Sequence, residues 1–187
     1  MEEFNVSLFL LINQYAGKSS VLDAALIGAA EAMPYAFMLI MLYLWFGVNI
    51  ERKRASFSAG FSVLLGMLTS YVISIFYYHS RPFVDNLGVQ LIDHAPDSSF
   101  PSDHTTFIFC IAVMLLFYKA TRVIGIVLCV LSFVSGMSRV FAGIHFPLDI
   151  FAAILVAIFS SAVVFKLRNT INILLNKLLE ILPKFLQ

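Results

Sequence analysis

Five stretches of this chain, residues 22–48, 55–78, 104–120, 123–140 and 147–167, are apolar over a length that suits a lipid bilayer. A spanning helix needs about 20 predominantly apolar residues. Lipid offers no partner to a backbone N–H or C=O, so such a stretch must close its own hydrogen bonds as a helix or join a sealed barrel. None of the five alternates with the period of two that barrel strands require. The predicted fold is therefore all-α, a polytopic integral membrane bundle of about five transmembrane helices. Composition agrees, with 60% hydrophobic and 12% charged residues, against roughly 45–50% and about 25% in soluble proteins. A soluble domain of 187 residues could not bury that much apolar surface, and a disordered chain would carry far less of it. A net charge of +1 leaves no basic footprint for nucleic acid.

Two flanking pieces are shorter. Residues 5–15 and 170–186 carry apolar residues at helical spacing with polar ones between, and are expected as short amphipathic N- and C-terminal helices at the interface. Glu2 and Glu3 stand where a secretory signal needs basic residues. No repeat or linker divides the chain, so residues 1–187 are expected to form one membrane-embedded domain. Cys110 and Cys129 fall in adjacent antiparallel spans at depths that differ by roughly 7–8 Å at 1.5 Å per residue. They are expected as separate buried thiols.

Lys and Arg fix the expected orientation. Nine lie on one side: Arg52, Lys53, Arg54, Lys119, Arg122, Lys166, Arg168, Lys177 and Lys184. Three lie on the other: Lys18, Arg81 and Arg139. The nine-residue side is the expected cytoplasmic one. The connections 79–103 and 141–146 then face outward together.

Polar chemistry gathers in those two connections. His79-Ser80-Arg81-Pro82-Phe83 ends the second span, and Phe100-Pro101-Ser102-Asp103-His104 opens the third. Ser138-Arg139, His145 and Asp149 join the fourth to the fifth. Two arginine forks can grip phosphate oxygens bidentately. Ser102 suits the N-cap of the third span, whose first N–H groups would form an anion site. His145 and Asp149 are four apart at a helix start, so the carboxylate can hold one imidazole nitrogen and leave the other free as nucleophile or base. His104 supplies a second imidazole. These are the parts of a metal-independent phosphoryl transfer. Glu31, within the first span, calls for a partner or cavity that the sequence does not name. Pro34 predicts a kink there.

The three clusters resemble the signature of the phosphatidic acid phosphatase type 2 superfamily of lipid phosphatases and vanadium haloperoxidases. Arg81-Pro82, Pro101-Ser102-x-His104 and Ser138-Arg139-x5-His145-x3-Asp149 fit its motifs, over about residues 55–167. Within the superfamily, residues 81–109 (RPFVDNLGVQLIDHAPDSSFPSDHTTFIF) resemble bacterial undecaprenyl-diphosphatases of the bacitracin-resistance type. Two positions depart from the superfamily pattern and look typical of that subgroup. Ser74 stands where the first motif has Lys, and Asp103 where the second has Gly.

The resemblance implies a hydrolase of undecaprenyl diphosphate that recycles the carrier lipid for cell-wall peptidoglycan synthesis. It would sit in the bacterial cytoplasmic membrane with its site facing out. The catalytic residues would be His145, His104 and Asp149, acting through a phosphohistidine. Arg81, Ser102 and Arg139 would bind phosphate. Asp103 would pair with an arginine or, less favoured, recruit a divalent cation. His79, beside the arginine motif, is a candidate substrate contact. No cofactor, metal or nucleic acid is expected. The partners are a polyprenyl diphosphate and the bilayer, and no protein partner can be inferred. The alternatives are a phosphatase or phosphotransferase for another lipid phosphate, such as phosphatidylglycerophosphate or lipid A diphosphate. A transporter is disfavoured, because the polar groups lie at one surface and no inverted repeat is visible.

Overall fold

The computed structural model describes residues 2–182. Its seven helices run α1 (Glu2–Asn13), α2 (Ser20–Phe46), α3 (Ile50–Phe76), α4 (Asp103–Phe117), α5 (Arg122–Phe141), α6 (Pro147–Lys166) and α7 (Arg168–Ile181). The described residues contain no strand. The protein is a multi-pass membrane bundle. Four helices, α2, α3, α5 and α6, are long and apolar enough to cross a membrane.

The remaining expected span, 104–120, is present as α4 but ends at Phe117. Its 15 residues measure about 22 Å at 1.5 Å per residue, short of a hydrocarbon core of about 30 Å. Its surroundings make that length sufficient. α4 packs against α3, α5 and α6, and every residue from Ile108 to Leu115 is buried. A helix enclosed by protein need not match the thickness of the lipid. Its end is set by Thr121, whose Oγ1 donates to the Leu115 carbonyl at 2.8 Å.

Small polar residues let α3 approach its neighbours closely. Ser58 bonds Tyr118 at 2.8 Å, Ser62 bonds Ser161 at 2.8 Å and Ser70 bonds Thr106 at 3.0 Å. Such interhelical bonds are a usual adhesive between helices in lipid. At Gly66 an added Cβ would lie 2.4 Å from the Cys110 sulfur. Both cysteines are free, as their depths required.

α1 does more than lie on a surface. One stripe, Asn5, Phe9 and Asn13, is buried. The Asn5 Oδ1 accepts the Leu148 N–H at 3.0 Å, on the first turn of α6. Phe9 meets Phe146 edge to face at 5.3 Å. Asn13 donates to the carbonyls of Val89 and Phe141 at 2.8 Å each and accepts the Val89 N–H at 2.7 Å. One side chain thus ties the 77–102 connection to the end of α5. Asn13→Ala strands three backbone groups at a site where the side chain is 1% exposed. The expected loss is about 3 kcal/mol, read as a lowered melting temperature in detergent. An unchanged melting temperature would show that water replaces the amide.

α7 buries Ile171 and Leu175, in keeping with an amphipathic helix. Of the expected 170–186 segment, Lys184 and Leu186 lie outside the described residues.

Candidate active site

The 77–102 and 142–146 connections meet at one end of the bundle. Leu91 N–H donates to the Ala142 carbonyl at 2.9 Å, and Ser102 N–H to the Asp149 carbonyl at 3.3 Å. Gly143, at φ +81°, permits the crossing, since a Cβ there would lie 2.3 Å from the Val89 oxygen. The basic residues of the α2–α3 and α4–α5 turns lie at the opposite end of these helices.

His145 is 2% exposed. Its Nδ1 faces the Asp149 Oδ2 at 3.3 Å, and the same oxygen accepts the Phe146 N–H at 2.7 Å. Its Nε2 faces the Arg81 Nη1 at 3.3 Å. Burial, then the charges of Arg139 and Arg81, hold the His145 pKa well below its ordinary value. Both effects favour the neutral ring. The network assigns its proton to Nδ1, toward the carboxylate, and its lone pair to Nε2. The i, i+4 spacing read from the sequence is realised as this contact.

Arg81 is fixed on several sides. Its Nε and Nη2 both lie 2.8 Å from the Asp97 Oδ1, Nη1 donates to the Ile144 carbonyl at 2.8 Å, and Nη2 to the Ser98 carbonyl at 3.3 Å. Arg139 is 2% exposed, and its Nη1 donates to the Ala30 carbonyl at 3.3 Å. Its Nε is buried without a partner, as are the Ser102 Oγ and the Thr105 Oγ1. Ser102 occupies the N-cap position of α4 as expected, yet its hydroxyl makes no capping bond.

His104 and Asp103 stand on the first turn of α4 and line a cavity of about 400 Å³ together with Arg81, Arg139, His145, His94 and Asp97. The rest of the lining is largely apolar: Pro34, Tyr35, Met38, Met67 and Phe107. Among the described residues Asp103 makes no ion pair. The carboxylate on Arg81 is Asp97, from the connecting loop, and the pairing expected of Asp103 is corrected on that point. Among the described residues no three His, Cys, Asp or Glu side chains are placed to hold a metal ion.

His79 is also placed differently from the expectation. It does not line the cavity. Its Nδ1 lies 2.9 Å from the Ser99 Oγ and 3.6 Å from the Asp149 Oδ1, and its ring meets Phe146 at 5.2 Å. It backs the carboxylate from the side away from His145. Sequence reasoning did not assign Asp97 or His94. The His94 ring lies 6.4 Å from that of His145 and its Nδ1 3.7 Å from the Asp97 Oδ1, and burial lowers its pKa. No periodic signal marks either residue, because an irregular loop imposes no spacing. The one available sign was a loop carrying more ionisable groups than an inert connection needs.

Residues 55–173 match the PAP2 superfamily. The chain belongs to that superfamily. Undecaprenyl-diphosphatase BcrC of Bacillus subtilis is 33% identical over 90% of this chain and 86% of its own. The putative undecaprenyl-diphosphatase YbjG of Escherichia coli is 32% identical over 83% of this chain and 78% of its own. Among solved structures, LpxE of Aquifex aeolicus superposes with a TM-score of 0.73 at 27% identity, covering 87% of this chain and 95% of that one. A PAP2-type phosphatidylglycerolphosphate phosphatase of Bacillus subtilis shares the fold, with a TM-score of 0.68 at 16% identity over 90% and 86%. The chain is thus a PAP2 membrane phosphatase, and of its motif residues Arg81, His104, Arg139 and His145 line this cavity, whereas Ser102 and Asp149 are fully buried and do not.

Proposed function

We propose that this PAP2 phosphatase hydrolyses the terminal phosphate of a polyprenyl diphosphate, undecaprenyl diphosphate, at the outer face of the bacterial cytoplasmic membrane. The observation that carries the reading is the mixed lining of the cavity, which combines arginines and imidazoles with Tyr35, Met38, Met67 and Phe107. A diphosphate headgroup suits the charged residues and an isoprenoid chain the apolar ones. The names of the two bacterial relatives point to the same substrate.

In the mechanism, the terminal phosphoryl group takes the place of Asp97, which is 62% exposed, on the Arg81 fork. Arg139, the Ser102 hydroxyl and the first N–H groups of α4 hold its remaining oxygens. The His145 Nε2 attacks phosphorus in line as the bond to the bridging oxygen breaks. His104 protonates that oxygen, and the polyprenyl monophosphate leaves. Water then attacks the phosphohistidine while His104 takes its proton, returning free His145 and inorganic phosphate. The positive charge comes from arginines and a helix end, so the reaction is proposed to need no metal.

The test is phosphate release by purified protein from undecaprenyl diphosphate, beside phosphatidylglycerophosphate and lipid A diphosphate, with and without chelator. Fastest turnover of the polyprenyl substrate, unaffected by chelator, is expected. Preference for either other lipid would favour the second reading. Loss of activity in chelator, restored by magnesium, would overturn the metal-free mechanism.

The nine-to-three division of Lys and Arg supports the outward site. A cysteine at Val84, exposed in the site loop, is expected to react with an impermeant thiol reagent on intact cells. One at Lys119, exposed between α4 and α5, is expected to react only after lysis, with the unsubstituted chain as baseline. The reverse pattern would place the site in the cytoplasm.

A further inference from the structure

The two arginines of the cavity are held in unlike ways. Arg81 has a carboxylate and two carbonyls. Arg139 has one hydrogen bond among the described residues, to the carbonyl of Ala30 in α2, and no carboxylate within ion-pair distance. Glu31, next along α2, acts on the guanidinium only through its charge at longer range. The aim of Arg139 therefore hangs on a single backbone oxygen from another helix.

A helical carbonyl is normally taken by the N–H four residues on. Four residues after Ala30 is Pro34, inside α2. Proline has no N–H, and its ring holds the turn open at the carbonyl four residues back. Ala30 is fully buried, where an unpartnered carbonyl is costly and water does not reach it. The guanidinium Nη1 of Arg139 supplies the missing donor at 3.3 Å.

We propose that Pro34 is a positioning residue: by withholding its N–H it leaves the Ala30 carbonyl as the anchor that aims Arg139 at the substrate phosphate. Pro34 lies outside the three polar clusters and outside residues 55–173, which carry the family match. The inference rests on Arg139 being part of the phosphate clamp of the proposed function. Any residue with an N–H at position 34 closes the turn onto Ala30, draws its carbonyl back along the helix and competes with Arg139 for it. The remaining donors of Arg139, among them the buried Nε without a partner, then lose their registration on the anion.

The experiment compares wild type, Pro34→Ala and a variant carrying lactic acid at position 34. The last places an ester there, with neither ring nor N–H. Two quantities are measured: the dissociation constant of orthovanadate by calorimetry, and kcat and KM on undecaprenyl diphosphate. Pro34→Ala is expected to bind orthovanadate about tenfold or more weakly, the range for a hydrogen bond to a charged group, and to raise KM. Its melting temperature is expected to hold or rise, since it gains a helix bond, whereas a merely structural role would lower it. The ester variant is expected to return to within about threefold of wild type. Equal orthovanadate affinity in wild type and Pro34→Ala would overturn the inference. So would an ester variant as weak as Pro34→Ala, which would assign the effect to the proline ring on the cavity wall. If wild type released no phosphate from the lipid while the three affinities kept the expected order, the proposed function would fall and the assignment of Pro34 would stand.

Discussion

His145→Ala is expected to abolish turnover of both a lipid diphosphate and an aryl phosphate such as p-nitrophenyl phosphate, and to form no phosphoenzyme. The imidazole is 2% exposed, with Nδ1 on Asp149 and Nε2 turned to Arg81. His94, the other cavity imidazole with a partner at Nδ1, has a backbone carbonyl there and not a buried carboxylate. His104→Ala is expected to behave differently. Its ring makes no hydrogen bond among the described residues and stands exposed on the first turn of α4, free to give and take a proton. A general acid contributes about 10²–10⁴-fold, and that factor shrinks when the leaving group is already good. His104→Ala should therefore lose most activity on the lipid while retaining a larger fraction on the aryl ester. Rapid-quench labelling decides the assignment: a phosphoryl group mapped to His104, or substantial aryl-phosphatase activity in His145→Ala, would reverse the roles. The pH profile carries the same argument. Burial and the two arginines push the His145 pKa well below 6.5. The nucleophile stays neutral as pH falls through 6.5 and is lost only at lower pH. An acid limb of kcat/KM near pH 6.5 that persisted in both His104→Ala and His94→Ala would contradict that.

Asp149 yields the second large effect, and its two oxygens separate two contributions. Oδ2 accepts both the Phe146 N–H and the His145 Nδ1–H, while Oδ1 is buried without a hydrogen bond. In Asp149→Asn the amide oxygen takes the place of Oδ2, where two donors demand an acceptor. The His145 tautomer is kept and only the negative charge is lost. That charge stabilises the imidazolium character formed on attack. The expected fall in kcat is about 10²-fold, the scale of one preorganised electrostatic contact. Asp149→Ala loses the tautomer as well, and about 10⁴-fold is expected. Phosphate release at saturating substrate measures both. A kcat for Asp149→Asn within a few-fold of wild type would remove the charge from the mechanism.

Much of the site was legible because its strongest signals are local. His145 and Asp149 are four apart at a helix start, and helical geometry alone brings them together. Arg81, Ser102, Arg139 and His145 were placed at one membrane level by the count of crossings. The turns of the bundle obey that count even though α4 is only 15 residues long. What a hydropathy window could not read was which apolar stretch faces protein instead of lipid, since both environments favour the same residues. Asn5 and Asn13 were legible only as polar interruptions of an apolar helix, and their partners lie on three other segments.

The sequence by itself determined the membrane-embedded all-α class, the three polar clusters and the pairing of His145 with Asp149. Each follows from composition, from spacing along a helix, or from the number of crossings. Only the tertiary structure decided that Asp97 and not Asp103 holds Arg81, that His79 backs Asp149 instead of facing the cavity, that the Ser102 hydroxyl is left uncapped, and that Arg139 rests on the carbonyl beneath Pro34. The three contacts among these join irregular loops or helices far apart in the chain. Their partners are chosen by distance in space and by which buried donor or acceptor would otherwise have none, and no sequence periodicity records either.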